Sequence, residues 1–182
     1  LRPCGTYSNW LGVVGGGGDG AGRTSVPSSV EGGDGTAKAI SNGEDHSCAI
    51  RVQDDGVVCW GYDQSGQAAP PISVANGEGT AIAISAGYAH TCAIRSDNGG
   101  VVCWGRDNGL ELTLAPDSLS GPSGSAEVVA IGRSHNCAIR SSDRGGVCWG
   151  KASYGVLDVP SEVGGTGGSA VAVVAGNEFN CA

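Results

Sequence analysis

One sequence pattern recurs along the chain at a nearly constant interval. Gly-x-x-His-x-Cys-Ala-Ile-Arg, followed by Val-Cys-Trp-Gly, runs from Gly43 to Gly61, from Gly87 to Gly105 and from Gly132 to Gly150. A fourth copy begins at Gly176 and stops within the pattern at Ala182. The leading glycines are 44, 45 and 44 residues apart. This fixed period predicts an array of small units that bury apolar surface against one another, rather than one large domain.

Composition argues against two classes of partner. The 182-residue chain has a formal net charge of −8, with 10 Lys and Arg against 18 Asp and Glu. Because nucleic-acid binding normally requires a basic face, we expect no nucleic-acid partner. No apolar run approaches the length of a bilayer span, so we expect no membrane insertion. The chain starts at Leu1 with neither an initiator Met nor a signal-peptide pattern, which predicts a processed chain or an excerpt.

Each unit contains short apolar runs that are typical of buried β-strands. Ala81–Ile84 has small and branched side chains, as expected of a strand covered on both faces. Cys92–Arg95 and Val101–Trp104 follow, joined by Asp, Asn and Gly residues that favour a hairpin turn. Proline is tolerated at strand starts and edges, so the segment after Pro71 is expected to supply a fourth, outer strand. The predicted fold class is all-β, with about four antiparallel strands per unit.

Eight cysteines at regular positions predict disulfide bonds and an oxidising compartment. The two cysteines of each complete unit are 11 residues apart, and an odd separation places them opposite each other in a hairpin with an even-length loop. Their Cα atoms would then be about 4.5 Å apart, which is within disulfide range. The predicted bridges are Cys48–Cys59, Cys92–Cys103 and Cys137–Cys148. Cys4 and Cys181 remain, and we expect them to pair, either within one chain or between two.

The histidine before each first cysteine raises the alternative of a metal site. His46, Cys48 and Cys59 offer three ligands, but zinc sites use short Cys-x-x-Cys knuckles or four clustered ligands. The fourth copy also has Phe179 in place of the histidine, so we expect no metal and no other cofactor. We expect the histidines to bond backbone near their own turns and the tryptophans to pack between units; these positions are His46, His90, His135, Trp60, Trp104 and Trp149.

The motifs do not indicate an enzyme. Ser47 beside His46, and Thr91 beside His90, are strand neighbours that point to opposite faces, so no catalytic triad follows. The tract Gly15–Gly18 lacks the Gly-Lys-Ser/Thr ending of a phosphate loop. Turn formation explains Asp-Asp-Gly and Asp-Asn-Gly in the hairpin loops better than calcium binding does.

The Gly-x-x-His-x-Cys-Ala-Ile and Val-Cys-Trp-Gly motifs, with the Ser65-Gly66-Gln67 that follows, resemble the repeat of the regulator of chromosome condensation family, in a secreted, cysteine-rich form. The resemblance covers Pro27–Ala182 well and Leu1–Gly12 weakly. It implies that each unit is a blade of a β-propeller and that one blade is split between the two termini. Family rings usually have seven blades, whereas this chain has four units. Nucleotide exchange and chromatin binding belong to nuclear members and are not expected of an acidic, disulfide-rich chain.

We expect residues 1–182 to form a single repeat domain. Its parts are a strand completing the split blade (1–12), a Gly-rich insertion (13–26), three repeats (27–70, 71–115 and 116–159) and a partial fourth repeat (160–182).

We predict an extracellular structural protein, a filament or surface subunit in which the Cys4 strand of one copy completes the Cys181 blade of the next, head to tail. The alternative closes the same joint within one chain. The product is a secreted four-bladed module that binds a protein or glycan through Tyr62–Ala69, Arg106–Leu114 and Lys151–Asp158. A third alternative is a fragment of a longer propeller. The expected localisation is secreted or at the cell surface.

Overall fold

The computed structural model describes residues 13–32, 36–75, 79–121, 124–165 and 168–182. Three antiparallel three-stranded sheets succeed one another, followed by a two-stranded sheet, so the all-β repeat prediction is confirmed. The strands are β1 (Ala37–Asn42), β2 (His46–Arg51), β3 (Val57–Gly61), β4 (Ala81–Ala86), β5 (His90–Arg95), β6 (Val101–Gly105), β7 (Ala126–Ile131), β8 (His135–Arg140), β9 (Gly146–Gly150), β10 (Val174–Ala175) and β11 (Asn180–Cys181). In this part of the chain the helices are two short 3-10 turns, Gly20–Gly22 and Asp117–Leu119. Neither has the length needed to cross a bilayer.

The predicted disulfides lie across the second hairpin of each complete repeat. In the second repeat Cys92 faces Cys103, and Ile94 faces Val101. All three bridges are present, with Cα–Cα distances of 4.1, 4.0 and 4.1 Å. Cys181 is exposed and is not bonded to another described residue. Its expected partner Cys4 and the strand predicted for residues 1–12 lie outside the described residues.

The hydrophobic cores lie between repeats rather than within them. Alternate residues of the central strand β5 face two different cores. Ala93 packs in a cluster with Ile50 of the first repeat and Trp104, whereas Ile94 packs in a cluster with Trp149 of the third repeat. Small alanines at the centre of each sheet let the neighbouring sheet approach closely. Each repeat is therefore buried by its neighbours, as a stacked array requires.

Residues of the Gly-rich insertion cover the outer face of the first repeat. Val13 of the insertion packs in one cluster with Val30 and Trp60 of the first repeat, and Val26 of the insertion packs against that cluster. The indole Nε1 of Trp60 also donates a hydrogen bond to the carbonyl of Arg23 at 3.2 Å. This segment therefore buries the sheet face that the other repeats bury against a preceding repeat.

A turn takes the place of the fourth, outer strand that was expected after Pro71. The N–H of Val74 donates to the carbonyl of Pro71 at 3.0 Å, and the side chain of Val74 is fully buried. The N–H of Val57 then donates to the carbonyl of Val74 at 2.7 Å, so the segment reaches the sheet through a single bridge at Ala75. The turn aims the valine into the core instead of extending the chain along β3. The same turn follows the other repeat prolines, with Val30, Leu119 and Val163 in the place of Val74.

The backbones of consecutive repeats approach closely at the glycine that opens each Gly-x-x-His turn. A Cβ atom built on Gly132 would lie 2.6 Å from the carbonyl oxygen of Gly176. A Cβ atom on Gly43 would likewise overlap the carbonyl of Gly87, and a Cβ atom on Gly87 would overlap the carbonyl of Gly132. No side chain fits between these backbones, which explains why glycine occupies this position in every repeat.

We expect Gly87→Ala to destabilise the fold by about 1–3 kcal/mol, because the added methyl group would overlap the carbonyl of Gly132 and push two repeats apart. Urea unfolding of the purified protein measures this change. Gly16→Ala is the matched control, since nothing lies within 4 Å of a Cβ at Gly16. The control should change the free energy of unfolding by less than about 0.5 kcal/mol. Equal effects of the two substitutions would contradict the steric explanation.

Candidate functional site

A buried hydrogen bond joins each repeat to the next. Nε2 of each histidine lies 2.7 or 2.8 Å from a side-chain oxygen in the following repeat: His46 with Thr91, His90 with Asn136, and His135 with Asn180. The prediction that these rings bond backbone near their own turns is wrong. Their partners lie 45 or 46 residues further along the chain. Each partner is the residue directly after the histidine position of the following repeat.

Burial keeps two of these imidazoles neutral. His46 is 2% exposed, and burial together with repulsion from His90 lowers its pKa to about 4. Burial also lowers the pKa of His90, although its hydrogen bond to Asn136 opposes the shift. The Nδ2 of Asn136 donates to the carbonyl of Leu112, so its Oδ1 faces His90 and accepts from Nε2–H. The arrangement is that of a neutral histidine used as a fixed donor between repeats.

The residue that bonds the histidine also fixes a loop of the preceding repeat. Asn136 Nδ2 donates to the Leu112 carbonyl at 2.9 Å, and Asn180 Nδ2 donates to the Val156 carbonyl at 2.7 Å. Leu112 and Val156 are themselves buried. Each loop that follows a Trp-Gly motif is therefore held by polar and apolar contacts to the next repeat.

The first residue of each loop is placed by the glycine of Trp-Gly. These glycines have φ angles of 103°, 103° and 110°, a left-handed conformation that favours glycine: Gly61, Gly105 and Gly150. The next N–H then donates to the carbonyl of the residue before the histidine, from Arg106 to Ala89 at 2.9 Å and from Lys151 to Ser134 at 2.8 Å. The side chains of Arg106 and Lys151 consequently stand beside the Gly-x-x-His turns.

A cleft of about 380 Å³ opens among these loops and turns, between the second and third repeats and the start of the fourth. We call it the turn-face cleft. This volume is within the usual range for a ligand site. Besides the buried His90 and His135, its charged and aromatic lining residues are Tyr88, Arg106, Arg133, Lys151 and Glu178. The guanidinium carbon of Arg133 lies 4.9 Å from the centre of the Tyr88 ring, which is a cation–π contact.

The turn-face cleft gathers the described basic residues that have no carboxylate partner. The chain has 10 Lys and Arg, and nine of them lie in the described ranges. Six of those nine pair with Asp or Glu within 4.0 Å: Arg23, Lys38, Arg51, Arg95, Arg140 and Arg144. The other three, Arg106, Arg133 and Lys151, are exposed and all line the cleft. Positive charge is thus concentrated at one place in an acidic protein.

The first repeat shows that this positive charge is not a property of the fold. The residues between the glycine and the histidine are Glu44-Asp45 in the first repeat, Tyr88-Ala89 in the second and Arg133-Ser134 in the third. Asp45 is paired with Arg23 at 3.0 Å. The same backbone positions therefore carry acidic side chains in one repeat, and aromatic or basic side chains in the next two.

Two of the three predicted contact loops line the cleft. Arg106–Leu114 and Lys151–Asp158 each supply several lining residues, whereas Tyr62–Ala69 supplies none. The turn residues Tyr88, Arg133 and Glu178 were not predicted. A signal for them was present, because the two positions between glycine and histidine change in every repeat while the residues around them stay constant.

Comparison with known proteins identifies the repeat. Residues 37–67 and 81–109 match the family model described as Regulator of chromosome condensation (RCC1) repeat. These segments contain the first two complete sheets and the start of the loops that follow them. The family resemblance seen in the sequence is confirmed. None of the curated proteins matches the chain significantly.

Solved structures share a propeller-type fold with the chain. The CRINKLY WD40 ectodomain of the Arabidopsis thaliana receptor kinase ACR4 is 27% identical with a TM-score of 0.57, over 80% of this chain and 44% of that chain. The ectodomain of the Physcomitrella patens receptor kinase CR4 is 25% identical with a TM-score of 0.58, over 77% of this chain and 36% of that chain. Prp20p of Saccharomyces cerevisiae is 18% identical, with a TM-score of 0.60 over 81% of this chain and 43% of that chain. At this identity the similarity shows only that the two chains share a fold. The chain spans less than half the length of each.

Stability is expected to fall as the pH is lowered from about 6.5 to about 4. The pKa of His46 moves from 6.5 to about 4 on folding, so in this interval the unfolded chain binds a proton that the folded chain does not. The free energy of unfolding therefore rises with pH across this window and levels off above it. Thermal unfolding midpoints measured across the window check this, and His46→Gln should flatten the slope.

The pKa of Asp143 lies in a lower window, which separates its effect from that of His46. A hydrogen bond from Arg140 lowers the pKa of Asp143 from 3.8 to about 2, so its contribution is lost only as the pH falls through that range. A midpoint that is constant above pH 4 and falls only below it would contradict the assignment to His46.

Proposed function

The chain is built of repeats of the regulator of chromosome condensation family, and from this premise we propose that it is an extracellular protein-binding module. Three disulfide bonds within the described repeats favour an oxidising compartment. Two of the similar solved structures are receptor kinase ectodomains. The proposed role is binding without catalysis, and the turn face is the surface that binds.

The observation that carries this proposal is the cleft and its three cations. Arg106 and Lys151 lie on loops whose Leu112 and Val156 carbonyls accept hydrogen bonds from the next repeat, and Arg133 lies on a turn closed by the bond from the Gly132 N–H to the His135 carbonyl. Because the supporting backbone is ordered before a partner arrives, binding does not require the loops themselves to become ordered. Charged side chains on a rigid scaffold suit recognition of an oppositely charged protein surface.

We expect the double substitution Arg106→Gln/Lys151→Gln to weaken the affinity for the partner protein at least about tenfold, because it removes two cations that face the partner. Affinity capture from the extracellular fraction of the native source, quantified against the unaltered protein, measures the loss. Lys38→Gln/Arg144→Gln is the matched control. It removes the same charge from exposed residues that pair with Asp55 and Glu127 outside the cleft. Equal retention by both double variants, or equal loss, would refute the turn face as the binding surface.

A second candidate function is head-to-tail assembly into a filament or surface array. One observation favours it: an apolar groove of about 500 Å³ lies over the disulfide of the third repeat, lined by Cys137, Ile139, Cys148 and Phe179. In the preceding repeats, the tryptophan of the next repeat packs against the corresponding face. Val174 and Phe179 are each 60% exposed at this edge. A strand from a second copy would cover them.

In this second candidate the N-terminal segment of one copy adds to β10–β11 of the next, and Cys4 bonds Cys181 between copies. Peptide mapping without reduction, with intact mass alongside, tests it. A Cys4–Cys181 peptide from high-mass ladders that collapse on reduction is the expected result. The same peptide from a chain of monomer mass would mean closure within one chain. Free thiols at both positions would reject both forms of the joint.

A further inference from the structure

We infer that the turn-face cleft binds a short peptide segment that carries two or three carboxylates and belongs to the partner protein. This inference rests on the proposed protein-binding function and names the chemistry that the cleft recognises. Three lines of observation support it: the confinement of the positive charge, the geometry of its arginines, and the apolar surface beside them.

The positive charge is confined to a small area. Arg106, Arg133 and Lys151 come from two neighbouring repeats, and the equivalent turn of the first repeat presents Glu44 and Asp45. The chain as a whole carries −8. A long polyanion would extend beyond the cleft onto acidic surface and be repelled there, since charges act over about 8 Å at physiological salt. A short acidic segment meets the cations without that penalty.

The arginines are arranged for carboxylates. A guanidinium binds a carboxylate through two parallel hydrogen bonds, which requires its plane to be held. The Arg133 guanidinium is held over the Tyr88 ring. The Arg106 guanidinium lies against the Asn108 side chain, whose amide oxygen accepts from it when turned toward it. Both arginines therefore present their planes with less freedom than a solvated side chain has.

The remaining lining favours a peptide over a sulfated sugar. Leu110 lines the same cleft and is partly exposed, whereas the lining residues Leu112 and Val156 are buried. An apolar side chain placed between the acidic residues of a peptide can contact Leu110, and burial of that area contributes to affinity. A sulfated sugar has charge but little apolar surface to place there.

Glu178 is a residue at which loss of a charge should strengthen binding instead of weakening it. It lines the cleft and forms no ion pair with the described cations. A carboxylate at this position repels the carboxylates of the ligand and lowers the affinity for them. Removal of its charge should therefore strengthen binding, whereas removal of a cation should weaken it.

The experiment measures binding of a fluorescent peptide with three glutamates separated by leucine and alanine, with a glutamine version of the same peptide as reference. Fluorescence anisotropy with the intact purified protein gives the dissociation constant. We expect Arg133→Gln to weaken binding of the glutamate peptide about threefold to tenfold, and Glu178→Gln to strengthen it about twofold to fivefold. The control Lys38→Gln, outside the cleft, should leave it unchanged. Affinity should also fall as salt is raised.

The contrary outcomes distinguish an error in the ligand chemistry from an error in the proposed protein-binding function. Equal affinity for the glutamate and glutamine peptides, or Glu178→Gln without effect, would overturn the inference. Binding of a heparin oligosaccharide that exceeds binding of the glutamate peptide would overturn it in favour of a sulfated glycan. Loss of peptide binding while the native partner is still captured through Arg106 and Lys151 would reject the ligand chemistry and leave the protein-binding function standing.

Discussion

Consecutive repeats touch backbone to backbone where Gly43, Gly87 and Gly132 follow one another, and this contact leaves no room for a side chain between them. A sheet of three strands cannot bury both of its faces alone. The alanines at the centre of each sheet and the absence of a side chain at the turn allow the next sheet to close over it. The disulfides then fix the hairpin of each repeat, and the cores form between repeats, as the division of Ala93 and Ile94 between two clusters shows.

Such close contact buries polar atoms that must be paired, and their pairing connects the scaffold to the loops. An imidazole such as that of His90 costs free energy when it is buried without a partner. Asn136 supplies the partner and uses its remaining donor on the carbonyl of Leu112. One side chain thus satisfies the core and holds a surface loop. The loops of the turn-face cleft are held in place for this reason, although the three cations of the cleft are exposed.

The features that the sequence predicted are those set by neighbours along the chain. The Cys92–Cys103 bridge followed from an odd separation within one hairpin, a local relation that determines register. The partner of His90 was missed because it lies 46 residues away, in another repeat. The outer strand after Pro71 was expected because proline permits a strand edge, yet burial of Val74 decided for a turn. The cleft was half predicted: its loops, with Arg106 and Lys151, were named, but the turn residue Arg133 joins them only when two repeats are placed side by side.

In the proposed function, recognition and folding use different residues of the same repeat, and this separation allows the surface to change without loss of the fold. The turn glycine and cysteines repeat unchanged in every complete copy because packing fixes them. The first residue after the glycine, and the one after Trp-Gly, belong to none of the buried clusters and differ in each copy. Their charge changes from negative at Glu44 to positive at Arg133 along one continuous face. A partner must therefore match a sequence of charges across neighbouring repeats. Specificity of this kind comes as much from repulsion at the acidic repeat as from attraction at the basic cleft.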